Sequence, residues 1–134
     1  MPEGPVGFDP GHGAGLEFLG VVREMEQGRA LGGIDYTAYP EMAEAEMRRL
    51  CELHECEFGP RSGRKAAVVR IHHRLGFVPV GVASLSIRVH AAHSAEAFER
   101  CRWWLEQIKS RLPVWKRLVY LPQESAVDPG SGAG

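Results

Sequence analysis

The sequence HSAEAFERCRWWLEQIKSRLPVWKR, at residues 93–117, combines a helix start, an apolar stripe, a proline stop and two lysines. Ser94 is a residue type that caps helices, because its hydroxyl accepts a hydrogen bond from a backbone N–H of the first turn. Pro113 disfavours helical backbone at the residue before it, so we expect the helix to end at Leu112. The apolar residues recur three or four positions apart, which predicts one face that packs against a sheet: Ala97, Cys101, Trp104, Ile108 and Leu112.

Alternating apolar and polar residues predict the strands of that sheet. The predicted strands cover residues 16–22, 33–39, 65–74, 82–92 and 114–121. A second helix is expected from Pro40 to about Glu57, because proline suits the first turn and apolar residues then repeat at helical spacing.

Two segments between the predicted strands contain turn residues. EMEQGRALGG, at residues 24–33, is polar and ends in paired glycines, so we expect a connecting loop there. LGFVPVG, at residues 75–81, is expected to be a bend, because Pro79 cannot donate to a central strand ladder. The order of elements predicts an α+β fold with a mainly antiparallel sheet packed by two main helices.

Length and composition favour one ordinary globular domain. The chain has 134 residues, of which 44% are hydrophobic and 25% are charged, and a chain of this length buries a sufficient core by itself. We expect this domain at residues 15–121, after a flexible lead-in at residues 1–14. Residues 122–134 have almost nothing to bury, which predicts a disordered tail.

The charge and the cysteines limit the class of function. A net charge of -1 argues against nonspecific nucleic-acid binding, which favours a polycation. Neither a signal peptide nor an apolar run of about 20 residues is present, so no membrane partner is expected. The three cysteines are an odd number, which favours reduced thiols and a cytoplasmic protein.

Lys109 and Lys116, on either side of Pro113, are the candidate chemical groups. Lys116 would share a strand face with Val114 and Leu118, and a lysine facing apolar residues either meets an anion or has a lowered pKa. The alternative is that both lysines are ordinary surface residues, since the helix dipole alone favours a cation at Lys109.

His90 and His93 lie where a strand meets a helix N-terminus, a position that attracts anions. A metal site is the alternative, but the chain has no CxxC or HExxH spacing. P-loop, GxSxG and GxGxxG elements are also absent. We therefore predict no metal and no cofactor.

The chain resembles the large, catalytic subunit of molybdopterin synthase. The resemblance extends over about residues 15–117 in five ordered stretches: FLGVVRE, YTAYPEMAEAEM, HHRLGFVPVG, HAAHSAEAFERC and LEQIKSRLPVWKR. It implies an α/β hammerhead-type α+β fold and a homodimer that forms the core of a heterotetramer. The implied partner is a small ubiquitin-like sulfur carrier with a C-terminal Gly-Gly. The implied reaction transfers sulfur from the thiocarboxylated carrier to cyclic pyranopterin monophosphate, a pterin phosphate, to form molybdopterin.

The same resemblance implies the site. Lys109 and Lys116 correspond to catalytic positions, and Arg23 and His93 to substrate-binding positions. Arg117, next to Lys116, is a further candidate for substrate binding, and Arg88 or Arg102 could replace the arginine that the family usually has after the histidine. The family usually has His-Arg where this chain has His93 and Ser94, an acid where it has Leu118, and a longer C-terminal segment. The alternative interpretation is therefore a catalytically impaired homologue that binds the carrier and dimerises.

Overall fold

The structure, a computed structural model, describes residues 9–59 and 65–122. Within them the elements are β1 (Ala14–Val21), β2 (Met25–Glu26), β3 (Arg29–Ala38), α1 (Pro40–Glu57), β4 (Val68–His73), β5 (Gly76–Pro79), β6 (Ala83–Ala91), α2 (Ser94–Arg111) and β7 (Val114–Tyr120). This order confirms the α+β class and both helices. Residues 1–8 and 123–134 lie outside the described part of the chain, so most of the predicted lead-in and tail does too, and the domain division stays a prediction.

The strands form two antiparallel sheets. The first has the order β1-β6-β4, with Ile87 of β6 opposite both Phe18 and Ile71. In the second, β3 lies between β5 and β7 and also pairs with β2. The long strand β3 therefore organises the second sheet as β6 organises the first.

Both segments that were predicted to lack strands contain strand residues. Residues 24–33 form the β2–β3 hairpin, in which Gln27 and Gly28 have φ of 53° and 75°. Positive φ at both central residues defines the type I′ turn of a two-residue hairpin. The predicted bend contains β5, an edge strand that ends at Pro79. Proline is tolerated there because its missing N–H is at the margin of the sheet.

The predicted cap of α2 is also wrong. His93 occupies the N-cap position in extended conformation, and Ser94 is the first helical residue, with no side-chain capping hydrogen bond at this end. The end of the helix agrees with the prediction, because Leu112 is extended immediately before Pro113.

Two hydrophobic cores hold the molecule together. The first lies between the β1-β6-β4 sheet and the apolar face of α2, and it also includes Leu50 of α1. Leu50, Ile87 and Val89 are fully buried there, and each such side chain contributes about 1.5–3 kcal/mol. The second core lies on one face of the β3 sheet, with Ile34, Tyr36 and Val78 buried.

A buried ion pair lies within α2, and its arginine also contacts the end of α1. Glu96 and Arg100 lie one helical turn apart with 2.7 Å between Oε2 and Nη2, and their side chains are 3% and 5% exposed. Arg100 also donates from Nη1 to His54 Nε2 at 3.2 Å and from Nη2 to the Gly59 carbonyl at 3.2 Å. Burial, and then the charge of Arg100, lowers the pKa of His54 to about 4.

We find no helix within residues 9–59 and 65–122 that is long and apolar enough to cross a membrane.

Candidate functional site

A cavity of about 580 Å³ lies between the two cores. Its walls come from β1, β3, β6, β7, the last turns of α2 and the segment after β1, together with one residue each of β2 and β4. Polar and apolar surface contribute almost equally to the lining. The charged or ring-bearing polar side chains in the lining are Arg23, Glu26, Tyr36, His73, Lys109 and Lys116.

Both predicted catalytic lysines line this cavity. Lys109 lies in the last turn of α2, where the helix dipole favours a cation. The extended backbone at Leu112 and the following Pro113 end the helix, and β7 then brings Lys116 opposite Tyr36 of β3. Because Val114 lines the same cavity, Lys116 does share a strand face with an apolar residue, as the alternation predicted.

Arg23 is the third cation of the cavity. It follows β1 and forms an ion pair with Glu26 of the hairpin. Its side chain is 78% exposed, which leaves it at the mouth. Cations from three separate elements thus surround one cavity, an arrangement that binds anions through charge-assisted hydrogen bonds.

The other three predicted residues do not line the cavity. Arg88 pairs with Glu17 at 2.9 Å on the β1-β6-β4 sheet, and Arg117 pairs with Asp35 at 3.1 Å beside β7. His93 is exposed at the opposite end of α2 from Lys109. At 1.5 Å per residue, the two positions are about 24 Å apart along the helix.

His73 and Tyr36 are cavity residues that the sequence analysis did not select. Their rings make an edge-to-face contact with 5.0 Å between centroids. The Tyr36 hydroxyl donates to Ser84 Oγ at 3.0 Å, and Ser84 donates to the Gly20 carbonyl at 3.4 Å. The available signal was the alternation in β4, which places His73 on the same face as the apolar Val69 and Ile71.

An apolar groove of about 410 Å³ adjoins the cavity. It lies among α1, β4 and β7, and it includes the side chain of Cys51. His73, Leu112 and Val114 line both the groove and the cavity. These three residues therefore form the wall that the two spaces share.

The described residues contain no group of three or more His, Cys, Asp or Glu side chains that could hold a metal ion. His90, one of the two histidines in the metal hypothesis, contacts the ring of His12 with 6.1 Å between centroids. The cations and His73 that line the cavity are side chains that can bind anions and transfer protons.

Comparison with known sequences identifies the class to which this fold and cavity belong. Residues 5–111 match the family described as MoaE protein. The chain belongs to this family, which confirms the resemblance found in the sequence. Curated relatives named molybdopterin synthase catalytic subunit include those of Emericella nidulans, 38% identical over 81% of this chain, and Synechococcus elongatus, 33% identical over 92% of it.

The curated relatives differ in length from this chain. The aligned region spans 72% of the Synechococcus elongatus protein, 52% of the Emericella nidulans protein and 29% of a Drosophila willistoni relative that is 36% identical. It covers 84% of this chain in the Drosophila case. Some relatives are therefore much longer than the domain described here.

Solved structures share the fold. Molybdopterin synthase from Staphylococcus aureus aligns with a TM-score of 0.74 and 24% identity, over 87% of this chain and 80% of its own. Molybdopterin cofactor biosynthesis protein E from Burkholderia multivorans has a TM-score of 0.66 and 25% identity, over 88% and 80%. A complex of subunits 1 and 2 of molybdopterin-converting factor from Helicobacter pylori has a TM-score of 0.63 and 21% identity, over 91% and 80%.

Proposed function

We propose that this chain is the catalytic subunit of a molybdopterin synthase. It would transfer sulfur from a thiocarboxylated small carrier subunit to cyclic pyranopterin monophosphate, giving molybdopterin. The observation that most supports this proposal is the meeting of Lys109, Lys116 and Arg23 in one cavity of a chain of the MoaE family.

The charges of the reactants suit those of the cavity. A thiocarboxylate tail and a phosphate are both anions, and bringing them together requires several cations in one place. Lys109 and Lys116 would stabilise the negative charge that develops during sulfur transfer and exchange protons with the reacting groups. Arg23, at the mouth, would hold the substrate.

The proposed assembly contains a second copy of this chain and a small carrier subunit ending in Gly-Gly. A two-subunit complex exists for the Helicobacter pylori structure of the same fold. His93 lies about 24 Å from Lys109 along α2, so its proposed contact with substrate requires the cavity of another chain. Arg88 and Arg117 are held by carboxylates, so their proposed substrate contacts require these exposed ion pairs to open.

The proposed location is the cytoplasm. The described cysteines, Cys51, Cys56 and Cys101, are free thiols, which is the usual state in a reducing compartment.

Reconstitution tests the proposed reaction. The protein is mixed with purified thiocarboxylated carrier and cyclic pyranopterin monophosphate, and molybdopterin is measured as its fluorescent oxidation product. Lys109→Ala and Lys116→Ala should each lower the rate by about 10²-fold or more, the effect of removing a group that stabilises transition-state charge.

Lys65→Ala is the matched control, because Lys65 pairs with Asp9 and does not line the cavity. Its rate should equal that of the wild type. Wild-type rates in both cavity variants would contradict the proposed roles.

A second candidate function is a catalytically impaired subunit that binds the carrier and dimerises. It is favoured by Ser94 and Leu118, which replace the arginine and the acid that the family usually has. This candidate predicts carrier binding without molybdopterin formation, and a gain of activity in Ser94→Arg.

A further inference from the structure

His73 occupies an unusual position for a histidine, at the wall shared by the cationic cavity and the apolar groove. Its Nδ1 lies 2.9 Å from the carbonyl oxygen of Arg74. A carbonyl can only accept, so Nδ1 must be the protonated nitrogen. In the neutral ring the unprotonated nitrogen is then Nε2, a proton acceptor.

The orientation of the His73 ring is fixed from a second side. The edge-to-face contact with Tyr36 restrains the imidazole, and Tyr36 is restrained in turn by its hydrogen bond to Ser84. A histidine whose tautomer and ring plane are both fixed is preorganised for proton transfer, as general bases require.

The surroundings of His73 keep it neutral. Burial is the main cause that lowers its pKa, and the positive charges of His72 and Lys116 lower it further, while the hydrogen bond to the Arg74 carbonyl acts in the opposite direction. Tyr36, the other titratable group against the ring, is held by Ser84. His73 is therefore in the form that accepts a proton at neutral pH.

The proposed reaction needs such a group. Sulfur leaves the carrier only when the bond between the acyl carbon and sulfur breaks, and the acyl carbon must then gain an oxygen. If water supplies it, a carbon–oxygen bond forms and the electron pair of the broken bond stays on sulfur. One proton of the water is removed, and the second leaves when the resulting carboxylic acid ionises.

We propose that His73 is a further catalytic residue of this cavity. It acts as the general base that removes a proton from the water molecule as this water attacks the acyl carbon of the carrier. This role rests on the proposed function and goes beyond it, because that function assigns charge stabilisation and proton exchange to the lysines and no role to His73, whose neutral ring supplies an unprotonated nitrogen. The proton then leaves the imidazolium to solvent.

His73→Asn isolates this role, because the asparagine amide can still donate to the Arg74 carbonyl but has no basic nitrogen. In single-turnover reactions, mass spectrometry follows the carrier as its C-terminal acyl group, still bonded to sulfur, is converted to a free carboxylate. We expect this step to slow by about 10²-fold or more, with the carrier Kd within twofold of wild type. The wild-type rate should decline at acid pH because His73 becomes protonated, and this decline should be absent in His73→Asn.

His72→Asn is the matched control, one residue earlier on β4, exposed and absent from the cavity lining. It should keep the wild-type rate at neutral pH and retain the acid limb, moved to slightly higher pH because the charge that lowers the pKa of His73 is removed. A wild-type rate and acid limb in His73→Asn would overturn the role of His73 alone. Wild-type protein that forms no molybdopterin with verified carrier would overturn the proposed function and this role with it.

A measurement on the unmodified protein does not depend on how the variant folds. Nitrogen-15 NMR of the histidine side chains should show His73 in the Nδ1–H tautomer at neutral pH, with a pKa below the ordinary value of a histidine. A dominant Nε2–H tautomer would overturn the assignment of His73 as the base, whether or not the protein is active.

Discussion

Access to water distinguishes two ion pairs of the same chemical type in this molecule. The Glu96–Arg100 pair is almost fully buried, whereas the side chains of Glu17 and Arg88 are 40% and 52% exposed. Removing one partner of a buried pair leaves an uncompensated charge, but removing one partner of an exposed pair leaves a charge that water solvates.

Glu96→Gln should therefore lower the free energy of unfolding by about 3–5 kcal/mol. Glu17→Gln, the matched control, should lower it by less than about 1 kcal/mol. Urea unfolding followed by circular dichroism measures both. Equal effects of the two substitutions would show that the burial of Arg100 is not maintained in solution.

His54 should make stability depend on pH. Its pKa is lowered from 6.5 to about 4 in the folded protein, so between these values the unfolded chain binds more protons. The free energy of unfolding therefore decreases as the pH falls through this window, by up to about 3 kcal/mol in total.

His54→Gln separates this effect from the titration of carboxylates, because glutamine can still accept from Arg100 and does not titrate. Urea unfolding at several pH values between 4 and 7 should show a smaller decrease for the variant than for the wild type. Parallel curves would rule out His54 as the source.

The sequence selected three charged residues of the cavity but none of the carboxylates that pair with Arg88 and Arg117. Lys109, Lys116 and Arg23 line one cavity, and the proline stop and the strand alternation account for the positions of the two lysines; the roles of all three stay predictions. The carboxylates that hold Arg88 and Arg117, Glu17 and Asp35, are 71 and 82 residues away along the chain. Such partners depend on strand register between distant segments, which local patterns do not encode.

At the scale of elements, the close approach of β3 and β5 depends on the absence of a side chain at Gly33. A Cβ there would lie 2.4 Å from the Val78 carbonyl oxygen and 2.5 Å from the Phe77 ring. A backbone oxygen cannot move aside as a flexible side chain can. Gly33→Ala should therefore destabilise the protein by about 1–3 kcal/mol, the usual cost of overpacking, as measured by thermal unfolding.

Gly20→Ala is the control for this substitution, since Gly20 also lies in a strand. A Cβ at Gly20 would meet its nearest neighbour, Leu85 Cβ, at an ordinary 3.5 Å. Its unfolding temperature should stay close to that of the wild type. Similar losses in both variants would assign the effect to glycine in strands generally.

The sequence predicted best the elements in which a regular apolar spacing continues over many residues. Both helices were found, since each repeats its apolar spacing over 18 residues. The hairpin and β5 were missed because β2 has only 2 residues and β5 only 4, too few to show alternation. Their existence depends on pairing with β3, whose central residues contribute to the second core.

For the whole molecule, the position of the cavity between two cores predicts that an anion stabilises the fold. A ligand that binds only the folded state adds RT ln(1 + [L]/Kd), about 1.4 kcal/mol at ten times Kd. Inorganic phosphate should therefore raise the unfolding temperature relative to chloride at equal ionic strength. The increase should disappear in the double variant Lys109→Ala and Lys116→Ala and persist in Arg88→Ala, whose side chain lies outside the cavity. An increase that is unchanged in the double variant would place the bound phosphate elsewhere.

The two lysines of the cavity lie on elements that pack in different cores. α2, with Lys109, packs in the first core, and β7, with Lys116, packs in the second, while only Leu112 and Pro113 connect them. The separation of the two amino groups is therefore set by how the cores pack against each other. Substitutions at Ile87 or Val78, which are fully buried in the first and the second core, should therefore change that separation without touching the cavity. Under the proposed function, the reaction rate would therefore depend on residues throughout the interior as well as on those of the cavity wall.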